Sequence, residues 1–196
     1  MTAEWTRISD PERIRALAHP LRLELLDYLR EVREATATEC ADRTGESVAS
    51  CSFHLRMLAK YDYIEPAERR GREKPWRLTR RGTHDMRPSP EVPGSLAAVV
   101  ELGSIWVLHE TERVRRFLSN AYRESPEWID SSTITISDFW ATTEEMAQLS
   151  SDLQRITDRF RDRADDPAVR PVGARRARLF AVANPDPLPE NSTDDD

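Results

Sequence analysis

Ten of the chain's 29 basic side chains fall between residues 47 and 87: Arg56, Lys60, Arg69, Arg70, Arg72, Lys74, Arg77, Arg80, Arg81 and Arg87. Five acidic side chains share that stretch, so it carries a net +5 while the remaining residues carry −11 and the whole chain −6. Cationic groups gathered on an otherwise acidic body suit a polyphosphate ligand, because neutralising phosphates takes a local field and not a global one. Charge alone leaves a solvated, arginine-rich hairpin as an equal reading.

The residues among those cations narrow the choice. At 100° per residue, Cys51, Leu55 and Leu58 share one helix face, Ala49, Phe53, Arg56 and Lys60 lie on the opposite one, and Ser52 falls between. Arg56 can donate two hydrogen bonds to a guanine, Ser52 can bond base or phosphate, and Ala49 or Phe53 can touch a thymine methyl. A phenylalanine is poorly explained on a merely solvated face. His54 has two readings, phosphate contact or packing beneath the helix.

The elements that must hold these residues can be read from local signals. Ser9 with Glu12 has the spacing of a capping box, and Pro11 suits a first turn. His19-Pro20 breaks that helix, His19 serving as an N-cap or turn residue, and Leu21, Leu25, Leu29 and Val32 form the stripe of the next. Thr36 with Glu39 opens a short helix that Gly45 closes as a left-handed cap. Ser47 then caps the helix bearing the reading face. Tyr63 to Glu65 and Pro75 to Leu78 flank an Arg/Gly tip, which predicts a β-hairpin carrying Arg69, Arg70, Arg72 and Lys74. Two helices, a short helix, a tight turn, a further helix and a basic hairpin in this order make a winged helix-turn-helix. Thr36, Thr38 and Ser47 would then offer hydroxyls and helix-start N–H groups to phosphate.

Residues 17–78 resemble the ArsR-type winged helix-turn-helix repressors. The likeness rests on Leu17, Ala18, Pro20, Arg22 and Leu23, on Ser52, His54, Leu55 and Leu58, and on the Arg-Gly-Arg tip before Trp76 and Leu78. It covers about a third of the chain and implies a dimer that reads a palindromic operator and usually represses. Phe53 replaces the first of the family's paired histidines, so base preference there does not carry over. Where metal-sensing members have a Cys-x-Cys pair, this chain has Thr36 and Thr38. No thiolate is offered to a soft metal. His109 and Glu110 are adjacent, so their side chains are expected to point apart, and neither a metal nor another cofactor is expected.

Beyond Pro88, Pro90 and Pro93 a second module is read. A long helix spans 96–122, residues 133–140 alternate as a strand, and Thr142 with Glu145 caps a helix with the stripe Met146, Leu149, Leu153, Ile156 and Phe160. Residues 174–183 alternate as a last strand. Val99, Leu102 and Trp106 on the long helix are assigned to dimerisation, because that helix has more apolar surface than one packed side needs. Trp106, Trp128 and Trp140 could wall a pocket for a small-molecule effector, although core packing is the default for tryptophan. Cys40 and Cys51 cannot form a disulfide framework and are read as buried structural thiols.

The expected fold class is mainly α (α+β). A winged helix-turn-helix DNA-binding domain over 9–85 and a linker over 86–94 precede a small α/β module over 95–183 and a disordered acidic tail over 184–196. The expected partners are double-stranded DNA and a second copy of the chain, with a small-molecule effector left open. The alternative is a winged-helix module that docks another protein without reading DNA. No signal peptide or bilayer-length apolar segment is read, which points to a cytoplasmic protein. With no G-x-G-x-x-G turn and no plausible Ser/His/Asp or Cys/His set, an enzyme is not expected.

Overall fold

A computed structural model describes residues 7–71, 73–79, 85–86 and 88–187. The contacts divide the chain into two compact units, residues 1–124 and 125–196. The first contains β1 (Arg7–Ile8), α1 (Pro11–Arg15), α2 (Pro20–Val32), β2 (Glu34–Ala35), α3 (Ala37–Thr44) and α4 (Val48–Lys60). It continues with β3 (Ile64–Pro66), β4 (Trp76–Leu78), β5 (Asp85–Met86) and α5 (Ser95–Ser119).

Its apolar core is built from the stripes the sequence displays. Leu21, Leu25 and Leu29 of α2 meet Cys40 of α3 and Cys51, Leu55 and Leu58 of α4, all buried. Antiparallel pairing in the order β2-β4-β3 makes the wing sheet, with Glu65 opposite Arg77 and Ala35 opposite Trp76. β2 is two residues long and has no periodicity to announce it. A parallel pair, β1 with β5, was equally silent in the sequence.

Three expectations change here. The cap of α1 is Asp10, whose side chain accepts from Glu12 N–H at 3.2 Å, and not Ser9. Residues 88–95 are bonded rather than a bare linker: Ser95 Oγ donates to Ser89 O at 2.8 Å and accepts from Ser89 N–H at 3.0 Å. α5 packs on α1, with Ala98 and Leu102 inside the first unit's core, so this helix belongs with the winged domain and not with the residues after 124. A long apolar helix buries its stripe against the nearest apolar surface, and α1 with α2 provides it.

A 3₁₀ turn at Ala121–Arg123 closes the first unit, and the second holds α6 (Pro126–Asp130), α7 (Thr143–Arg155) and α8 (Asp162–Asp165), with short 3₁₀ turns at Asp158–Phe160 and Pro167–Val169. The capping box of α7 forms in both directions, Thr142 with Glu145. Neither predicted strand forms. Residues 133–140 and 174–183 lie outside every sheet among the described residues, because alternation makes a strand only when a partner supplies the hydrogen bonds. The α7 stripe also stops early: the helix ends at Arg155, and Ile156 and Phe160 are exposed beyond it. Of the predicted acidic tail, residues 188–196 lie outside the described residues, as do Arg72, Arg80, Arg81 and Arg87 of the basic stretch.

Candidate nucleic-acid interface

Each boundary of the helix-turn-helix has a local cause. Thr36 Oγ1 accepts from Glu39 N–H at 3.2 Å, and Glu39 Oε2 accepts from Thr36 N–H at 2.7 Å, so α3 begins with two orphan donors satisfied. Gly45 ends it at φ +76°, a conformation that costs glycine nothing. Ser47 then accepts from Ser50 N–H at 3.1 Å and starts α4. Beneath the turn, Thr44 Oγ1 donates to Cys40 O at 2.9 Å and lies 3.6 Å from Cys51 Sγ. Burial pushes the Cys40 thiol up to about 12, with Cys51 and Glu39 adding to it, so this sulfur is a packed thiol and not a thiolate.

With Cys51, Leu55 and Leu58 facing inward, the other side of α4 is free. Ala49, Phe53, Arg56 and Lys60 are all exposed along one face, Phe53 at 53%. Ser52 is half-buried beside them, and Thr38 and Ser47 are exposed at the starts of α3 and α4. Lys60 leans on Tyr61, its Nζ 4.9 Å from the ring centre. Thr36 leaves the set of phosphate contacts: it is buried, and its hydroxyl is committed to the cap.

His54 packs beneath the helix. Its ring lies 4.3 Å from that of His19 at an interplanar angle of 36°, with Phe53 edge-on at 5.2 Å. Its Nδ1 is buried without a partner among the described residues. His19 caps α2, its Nδ1 accepting from Leu21 N–H at 3.1 Å. Burial holds both imidazoles below their usual range; Arg22 adds to this at each ring and His19 at His54, against a smaller opposing pull from Glu46. Arg22 was visible in the sequence only as part of a motif. Its Nη1 donates to Ala16 O at 2.6 Å and satisfies a carbonyl at the end of α1.

At the wing, Arg69, Arg70 and Lys74 are exposed, and Arg70 pairs with Glu73 across the tip, where Gly71 adopts φ +66°. Arg70 also reaches back to Glu39 at 3.4 Å and Glu34 at 3.5 Å, and Arg77 holds Glu65 at 2.8 Å. Exposed pairs of this kind are worth roughly 0–1 kcal/mol each, so a phosphate can displace them. The Arg70 tethers join the wing tip to β2 and α3, and nothing in the spacing of Glu34, Glu39 and Arg70 announces them.

The reasoning that set His109 and Glu110 apart fails in three dimensions. Asp27 of α2 joins them, and one donor atom from each of the three lies within 4.8 Å of the others. The arrangement is charge-balanced by protein: His109 Nε2 is 2.9 Å from Asp27 Oδ2, Arg30 holds Asp27 at 2.9 Å, and Arg113 holds the buried Glu110 at 2.8 Å. It fastens α2 to α5. Of the tryptophans for which core packing was the default, Trp106 packs on the first unit's core, whereas in the second unit Trp128 and Trp140 are exposed.

Residues 17–65 match the family described as helix-turn-helix domain. Fold and match together define a helix-turn-helix of the DNA-binding, transcription-regulator type. The whole chain matches none of the curated proteins compared with it. Among the described residues no helix is long and apolar enough to cross a membrane.

Proposed function

We propose that this protein is a cytoplasmic, homodimeric, sequence-specific transcriptional regulator of the bacterial ArsR type, acting as a repressor on a palindromic operator. The observation that carries the reading is the face of α4 on which Ala49, Phe53, Arg56 and Lys60 are exposed together while the opposite face is wholly buried. A solvated helix has no use for an outward phenylalanine beside an arginine. A major groove has use for both, the guanidinium as a bidentate donor to guanine and the ring against a thymine methyl. Ser52 adds a base or phosphate contact. Thr38, Ser47, Lys60, Arg69, Arg70, Arg72 and Lys74 supply phosphate contacts that fix orientation without reading sequence.

Dimerisation follows from the operator's symmetry and from α5. Leu102 is occupied in the chain's own core, and Val99 and Trp106 are half-buried against it. The surface left for a second α5 is Leu96, Val100, Val107 and Leu108, all exposed, with the rims of Val99 and Trp106. Thr36 and Thr38 offer no thiolate to a soft metal, so a small molecule is the class of effector to screen for release from DNA. Selection of genomic fragments by the full-length protein tests this reading. The expected result is a two-fold symmetric motif whose binding weakens steeply with salt. Recovery of no motif, or salt-insensitive binding, would favour a module that docks protein.

A further inference from the structure

The second unit is segregated by charge and incomplete in its packing. Residues 125–154 contain six acidic side chains and no lysine or arginine, whereas residues 155–183 contain eight arginines against four aspartates. Each half carries one alternating run, 133–140 in the acidic half and 174–183 in the basic half, and neither is hydrogen-bonded to a strand among the described residues. Ile134 and Ile136 are 73% and 88% exposed, and Leu179 and Val182 are exposed as well. Met146, Leu149 and Leu153 stripe α7 and are only half-buried. No described residue of this unit is buried.

One chain thus holds the parts of a small strand-and-helix layer without assembling them. The halves do attract each other within the chain, for Arg175 lies 4.8 Å over the ring of Trp128. The two runs nevertheless form no strand pairing with each other among the described residues. We propose that a second copy completes the unit: residues 133–140 of each chain pair with the partner's 174–183, and the two α7 stripes cover the resulting strands. Two strands alone are marginal in water, whereas four strands backed by two helices can bury a core. The exchange occurs twice about a two-fold axis and closes on itself. Charge favours this pairing over like-with-like pairing, which would set Arg175, Arg176 and Arg178 against the same arginines of the second copy, whereas Asp138 is the one charge of the 133–140 run.

The inference rests on the dimer proposed above but not on the α5 surface, so the two can be told apart. Full-length chains with different tags are co-expressed, one carrying Ile134→Cys and the other Val182→Cys, and treated with a short bis-maleimide. Cys40 and Cys51 stay in place because both are fully buried. Thr135→Cys with Leu179→Cys repeats the test at a second position of each run, and light scattering is recorded on every sample. The expected result is a product joining the two tags, in clear excess over that from two Ile134→Cys chains. No cross-tag product from either pair in a sample that scatters as a dimer would overturn the exchange and leave the dimer standing. A monomer by light scattering would remove both.

Discussion

The two units begin a helix in the same way and end with opposite results. Thr36 and Glu39 form a reciprocal cap with bonds of 3.2 and 2.7 Å, and Thr142 and Glu145 form one with bonds of 3.3 and 2.8 Å. Behind the first cap, α3 buries Cys40 and Ala41 against α2 and α4, while behind the second, α7 buries nothing. A capping box therefore fixes where a helix starts and says little about whether it joins a core. What separates the units is the supply of complementary apolar faces: α2, α4 and α5 bring them to the first, and the second is left with stripes and runs that lack a cover.

Stability should divide along the same line. Leu55, wholly buried beneath the recognition face, should cost about 2–5 kcal/mol when replaced by alanine, read as a shift of the denaturation midpoint. Trp140→Ala, at a fully exposed position of the single chain, should cost less than about 0.5 kcal/mol at concentrations where the protein is monomeric. Comparable losses at the two positions would abolish the distinction between a packed unit and an unpacked one.

A smaller effect should come from mild acid, through two histidines of the first unit. His19 and His54 have folded pKa values below the unfolded value of about 6.5, so between the two the unfolded chain binds more protons. Their contribution is then fully present above about pH 6.5 and is lost as pH falls through the folded values. The physical cause is that a proton on His19 Nδ1 removes the acceptor capping α2, and charge on the stacked rings faces Arg22. Melting temperature should fall between pH about 7.5 and about 5, and His54→Phe should flatten the decline. An unchanged slope in that variant would show that the ring pair does not titrate in this range. Glu39, whose carboxylate the backbone N–H of Thr36 holds below its usual range, acts only at lower pH.

How much was legible from the residues follows the range of the interaction. The caps at His19, Thr36, Ser47 and Thr142, the left-handed Gly45 and the inward stripe of α4 are all local, and each appears where its spacing places it. The outward face of α4 was legible for the same reason, since it is the complement of that stripe. What could not be read depends on partners distant in sequence. β2 exists because β4 lies beside it, Arg70 is tethered by Glu34 and Glu39, and Asp27 approaches His109 from 82 positions away. Runs 133–140 and 174–183 have the alternation of strands without the pairing that makes one.

The central claim is that α4 reads bases while the wing only positions the protein. The measurement that tests it most directly is binding of full-length wild type, Arg56→Ala and the triple variant Arg69→Ala, Arg70→Ala, Arg72→Ala to the selected operator and to random DNA at one salt concentration. Arg56→Ala should lose about 1–3 kcal/mol on the operator, relax one base position and leave random DNA almost unaffected. The wing variant should weaken both alike and lower the salt dependence. A uniform loss across sequences for Arg56→Ala would contradict the account.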